Sequence, residues 1–169
     1  MSTSPSPDYA PQLGRLLLDR GWMFACAESC TGGLLAAAMT DTPGSSQWFD
    51  RGFVTYSNVA KVEQLRVNVD TLERFGAVSE ETAMEMAAGV LACANLSQLA
   101  VSTTGIAGPG GATPGKPVGM VCFGFAQRAP QGGVVTRAMT KVFEGDRAQI
   151  RQAAVAFALN TAIDLIEPR

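Results

Sequence analysis

Apolar positions along this 169-residue chain recur in two rhythms, one helical and one extended. Tyr9, Leu13, Leu16 and Leu17 fall at helical spacing until Gly21 stops the pattern, which predicts a first helix. Trp22 to Ala27 is a short unbroken apolar run. It ends in Glu28-Ser29-Cys30-Thr31-Gly32-Gly33 and passes into the helix formers Leu34 to Met39, so it reads as strand, tight turn, helix. Pro43-Gly44-Ser45-Ser46 is a loop, and Trp48 to Ser57 has the aromatic and β-branched content of a strand, diluted by Asp50, Arg51 and Gly52. Asn58 to Phe75 is helical with a break near Val67, and Ser79 is placed to cap a long Ala/Met-rich helix running to Asn95. Gln98 to Thr104 reads as a buried strand entering the glycine-rich run Gly105 to Gly111. Val118 to Ala126 and Val134 to Phe143 are two more strands, joined through Pro130-Gln131-Gly132-Gly133 closely enough for an antiparallel hairpin. A last helix follows, with Asp146 near its start. Helices alternating with strands, then a terminal hairpin, predict a three-layer α/β/α sandwich with a mixed, mostly parallel sheet. No repeat or linker divides the pattern, so a single domain over residues 1–169 is expected, with the Ser/Pro-rich residues 1–7 mobile.

Composition narrows the chemistry. Apolar residues make up 47% of the chain, enough for one packed core, and a formal charge of -2 with 17% charged residues offers no basic footprint for nucleic acid. No apolar run approaches the roughly 18 residues that span a bilayer, and the opening residues lack the pattern of a signal peptide. A cytoplasmic protein without a membrane partner is expected. Four scattered cysteines read as reduced thiols rather than a disulfide framework. The chain has no histidine, so the commonest zinc ligand and the usual base of serine hydrolases are both missing. Cys26 and Cys30, lacking a second close cysteine pair, make a poor metal site, and none is expected.

Three strand-to-helix turns remain as places for chemistry, because ligands of open α/β sheets gather at the carboxyl ends of strands. In the first, Ser29 is either a helix cap, the commoner meaning of such a pattern, or a nucleophile beside an oxyanion hole. In the second, Tyr56 and Lys61 lie five residues apart; Lys61 is either a surface lysine or, if desolvated, a neutral base that Tyr56 assists. The third, running through Thr104, Gly105 and Gly108, is either a plain glycine loop or a cradle for substrate amide, ribose or phosphate.

Taken together, Glu28-Ser29-Cys30-Thr31-Gly32-Gly33, Thr55-Tyr56-Ser57-Asn58 with Lys61, Gly76-Ala77-Val78-Ser79, Gly105-Ile106-Ala107-Gly108-Pro109 with Lys116-Pro117-Val118-Gly119, and Gly145-Asp146-Arg147 resemble the CinA carboxy-terminal family in order and spacing. The likeness runs from about Leu13 to the last helix. It implies a nicotinamide-nucleotide amidohydrolase that needs no metal or cofactor and takes a small pyridine nucleotide, nicotinamide mononucleotide, to the acid and ammonia. It further implies Ser29 as nucleophile, Lys61 as general base and Tyr56 as an assisting hydroxyl. Backbone N–H groups of Cys30, Thr31 and Gly32 would hold the oxyanion, Thr31 and Thr104 would bond amide or sugar, and Arg147 would meet the phosphate. Two rival readings stay open: Cys30 as the nucleophile, its thiol acidified at a helix start, and a module that binds the nucleotide without cleaving it. Ala- and Met-rich helix faces such as Ala83 to Ala94 fit a homodimer.

Overall fold

The computed structural model describes residues 8–167; the stretch 1–7, expected to be mobile, lies outside them. The elements follow the apolar rhythm closely: α1 (Tyr9–Arg20), β1 (Phe24–Glu28), α2 (Leu34–Thr40), β2 (Phe49–Val54), α3 (Asn58–Leu65), α4 (Val69–Phe75), α5 (Glu80–Cys93), β3 (Leu99–Gly105), β4 (Met120–Arg128), β5 (Val134–Val142) and α6 (Arg147–Ile166). Gly21 ends α1 in the left-handed conformation, and the N–H of Trp22 donates back to Leu17 O. Ser79 accepts from Thr82 N–H at the head of α5, and Asp146 with Gln149 forms a capping box at the head of α6. The break near Val67 separates α3 from α4, with Arg66 left-handed at the end of α3.

The five strands lie in the order β2-β1-β3-β4-β5. The β1–β2 and β1–β3 pairings are parallel, and the β3–β4 and β4–β5 pairings antiparallel. The sheet is therefore mixed with its two kinds of pairing in equal number, because the chain returns from β3 to β4 through a glycine loop instead of a crossover helix.

Alternation along the strands divides the interior in two. Phe24, Cys26, Val101, Phe123 and Phe125 face α1, α2 and α6, meeting Leu13, Leu17, Leu35, Met39 and Ile150. Ala25, Ala27, Ala100 and Ala126 face the other way, toward Leu65 of α3 and Met86, Ala87 and Val90 of α5. The second face is lined with small residues because α5 lies almost on the sheet. A Cβ at Gly124 would collide with Ala83 O, and the Ser102 hydroxyl donates to that same carbonyl at 2.6 Å. On the first face Phe157 of α6 closes on Phe123 of β4, ring centroids 4.7 Å apart, and on Phe143 just beyond β5 at 6.0 Å. Burying an aromatic or Leu-sized side chain contributes about 1.5–3 kcal/mol, and these contacts fix the axis of α6 against the sheet. Among the described residues no helix is long and apolar enough to cross a membrane.

Register brings the strand ends together. Glu28 pairs with Val54 of β2 on one side and Thr103 of β3 on the other, so the three parallel strands finish level and their turns leave from one edge.

Candidate active site

The turn after β1 is stitched to both neighbours: Ser29 N–H donates to Thr103 O and Thr55 N–H to Glu28 O, each at 2.9 Å. Within the turn, Gly32 N–H donates to Ser29 O and Leu34 N–H to Thr31 O, both at 3.0 Å. Gly32 and Gly33 have φ of 56° and 110°, where a side chain is strained. The helix begins only at Leu34 and has no side-chain cap from Gly33, so Ser29 is not its cap. That task falls to Glu28, whose Oε1 accepts from Leu35 N–H at 2.7 Å and whose Oε2 accepts from Ala36 N–H at 3.1 Å. The Thr31 hydroxyl donates to the same carboxylate at 2.6 Å and lies 2.7 Å from the Thr103 hydroxyl. A carboxylate 1% exposed is tolerated there because three donors and the positive end of α2 compensate its lost hydration.

Lys61 arrives from the first turn of α3. Ser57 caps that helix by accepting from Ala60 N–H at 3.0 Å, and Lys61 and Leu65, one turn apart, form its buried face. The Lys61 side chain is 1% exposed. Its Nζ lies 3.0 Å from Ser29 Oγ and donates to Thr55 O at 2.9 Å and Tyr56 O at 3.3 Å. Burial holds the amine below its ordinary pKa of 10.5, and the Cys30 thiol opposes that shift only in part. Ser29 Oγ also donates weakly to Tyr56 O, at 3.4 Å. A serine hydroxyl and a desolvated amine are thus in contact, with two carbonyls occupying the other sides of the nitrogen.

The structure separates Tyr56 from this pair in an unexpected way. Its backbone carbonyl joins the cluster, while its side chain is 60% exposed and its hydroxyl accepts from Arg147 Nη2 at 3.0 Å. The same guanidinium donates from Nη1 to Gly108 O at 2.8 Å. Arg147 therefore sits at the mouth of the site, bridging the second and third turns. The Thr31 hydroxyl donates to Glu28 and lies 2.7 Å from the Thr103 hydroxyl, and the Thr104 hydroxyl donates to Ala77 O at 2.8 Å, so each also ties the turn to the scaffold. A Cβ at Gly105 would meet Met120 O and Val121, and one at Gly108 would meet Val118, so this turn packs closely on the segment that leads into β4. With Gly32 N–H bound to Ser29 O, the backbone donors expected to hold an oxyanion narrow to those of Cys30 and Thr31.

Burial pushes the Cys30 thiol up from 9.0 to about 11, with a hydrogen bond from its own backbone, Arg151 and Lys61 lowering it only in part. Burial thus shifts this thiol away from the acidified state that the cysteine reading requires, which counts against Cys30 as the nucleophile. Two residues of this region escaped the sequence reasoning. Glu28 was visible only as an acid closing an apolar run, a signal that its charge must be paired. Arg151 stands one helical turn beyond Arg147; its Nε donates to Cys30 O at 3.1 Å and its Nη2 to Thr31 O at 3.2 Å.

Comparison with known proteins places this arrangement. The nicotinamide-nucleotide amidohydrolase PncC of Enterobacter agglomerans is 52% identical over 163 residues, covering 96% of each chain, and that of Escherichia coli K12 is 47% identical over 161 residues, covering 95% of this chain and 94% of its own. The crystal structure of competence/damage inducible protein CihA from Agrobacterium tumefaciens superimposes with a TM-score of 0.81 at 44% identity, covering 98% of this chain and 99% of that one. A CinA superfamily protein from Enterobacter cloacae reaches 0.87 at 34% identity, covering 94% and 90%. The family model for the CinA C-terminal domain matches residues 7–166, and the chain belongs to that family.

Proposed function

We propose that this protein hydrolyses the carboxamide of nicotinamide mononucleotide, giving nicotinic acid mononucleotide and ammonia, through a serine acyl-enzyme with Lys61 as the base. The observation that carries the mechanism is the Lys61 amine, buried and depressed in pKa, 3.0 Å from Ser29 Oγ. Support for a nicotinamide nucleotide as substrate comes from the relatives at about half identity over nearly the whole chain, which bear the name nicotinamide-nucleotide amidohydrolase.

The hydrogen-bond set around Lys61 suits both protonation states. As an ammonium, Nζ has three donors for Ser29 Oγ, Thr55 O and Tyr56 O. As a neutral amine it keeps two N–H bonds to the carbonyls and turns its lone pair to Ser29, whose O–H swings from Tyr56 O to the nitrogen. In the acylation step Ser29 Oγ bonds to the carboxamide carbon while its proton passes to Lys61 Nζ. The carbonyl oxygen becomes an oxyanion held by the Cys30 and Thr31 N–H groups. The C–N bond then breaks, Lys61 returns the proton to the leaving nitrogen, and ammonia departs. Water next attacks the ester carbon, giving one proton to Lys61, which hands it to Ser29 Oγ as the acid is released. Arg147, tied to Tyr56 and Gly108 through part of its fork, offers its other N–H donors to the substrate phosphate.

Ammonia release from nicotinamide mononucleotide, followed in a coupled assay at high enzyme concentration, tests the proposal. Turnover in the wild type and its loss in Ser29→Ala are expected. Saturable binding without ammonia in the wild type would overturn the hydrolytic reading in favour of a binding module.

A further inference from the structure

The backbone donor in the turn after β1 needs something to aim it, and the group behind that turn is Arg151. Its guanidinium straddles two consecutive carbonyls, Cys30 O from Nε at 3.1 Å and Thr31 O from Nη2 at 3.2 Å. In a trans peptide the N–H points opposite to the C=O, so a clamp on Cys30 O sets the direction of Thr31 N–H. A clamp on Thr31 O similarly sets Gly32 N–H, but that group is already spent on Ser29 O at 3.0 Å. Among the described residues Thr31 N–H has no backbone partner. A second observation supports the coupling: a Cβ at Gly32 would lie 3.2 Å from Arg151 Nη2, so the guanidinium fills the space that a side chain on the turn would need.

Resting on the hydrolytic reading above, we propose that Arg151 is a positioning residue that fixes and polarises the Cys30–Thr31 peptide, so that Thr31 N–H meets the oxyanion formed on the substrate amide. A cation hydrogen-bonded to a peptide carbonyl draws electron density from the attached nitrogen and strengthens its N–H as a donor. The benefit appears only when negative charge develops on the substrate oxygen, so it belongs to the transition state and not to substrate binding. Arg147 and Arg151, one turn apart on α6, thereby divide the work: the first faces the mouth of the site, the second stands behind the turn.

The test uses full-length Arg151→Gln and Arg151→Lys. Arg151→Gln should lower kcat about 10- to 100-fold, less than the loss of a whole oxyanion donor, with KM for nicotinamide mononucleotide unchanged. Arg151→Lys, a point charge that reaches one carbonyl, should fall between it and wild type. In 15N-labelled protein without substrate, the Thr31 amide proton should move upfield in Arg151→Gln, more than the Gly32 amide does, because the polarising charge is gone. Added guanidinium chloride at non-denaturing concentration should restore part of kcat in Arg151→Gln, which a merely structural role would not produce. If Arg151→Gln does not fold, Arg151→Lys carries both readouts. KM and kcat changing together, or a Thr31 amide that stays put, would overturn the proposal. A wild type that releases no ammonia would instead defeat the hydrolytic reading, and the amide shift would still decide whether Arg151 polarises that peptide.

Discussion

Replacing Lys61 by methionine exposes the physics of the site without an enzymatic assay. Methionine keeps an unbranched side chain of similar reach but removes the ionisable nitrogen from a position that is 1% exposed. Burial lowers the pKa of Lys61 in the folded protein below the 10.5 it has when unfolded. Between those two values the unfolded chain holds a proton that the folded one has released, so stability rises with pH across that window. The slope approaches that of one proton, about 1.4 kcal/mol per pH unit. Below the folded pKa both states are charged, and the full cost of burying the ammonium is present and constant. The comparison should be made in a Cys30→Ala background, which removes the neighbouring thiol whose own pKa lies at about 11. Urea unfolding of the Lys61 and Lys61→Met proteins over a pH series then isolates the lysine. The difference in unfolding free energy should shift in favour of the lysine protein as pH rises through the window and level off above 10.5. A difference independent of pH, or one falling as pH rises, would refute the claim that burial lowers the pKa of this amine.

Three further substitutions separate roles within the site. Cys30→Ala should retain most of the ammonia-releasing activity in a steady-state assay, because the thiol is buried with its pKa raised to about 11. Glu28→Gln should lower stability by about 1–3 kcal/mol in urea unfolding, since an amide cannot accept with both ends from Thr31, Leu35 and Ala36. Tyr56→Phe should raise KM modestly and leave the pH dependence of kcat intact, because its hydroxyl meets Arg147 while only its backbone carbonyl meets Lys61 and Ser29.

Local pattern was a good guide wherever one element decided the outcome. The Ser29 and Lys61 turns were legible because each interrupts an apolar run at a strand-to-helix junction, and the absence of histidine directed attention to the lysine. What pattern could not supply was which atom of a residue faces inward. At Tyr56 the chain turns so that the carbonyl, not the phenol, enters the cluster, a consequence of how β2 passes into α3. The glycines of the third turn read as either a plain loop or a ligand cradle, and the pattern could not show that Met120, Val121 and Val118 lie against Gly105 and Gly108, contacts made only once the chain returns into β4 beside β3. Glu28 and Arg151 act across elements, one from β1 onto α2 and the other from α6 onto the turn after β1, and no spacing along the chain encodes such a meeting.

In the proposed reaction an unprotonated Lys61 withdraws the Ser29 proton, and the pH dependence of kcat/KM for ammonia release from nicotinamide mononucleotide addresses that step directly. Activity should rise with pH through an apparent pKa below the ordinary 10.5 of lysine and then reach a plateau. With the rate of the chemical step verified by single-turnover measurement, a profile flat from mildly acid to alkaline pH would contradict it.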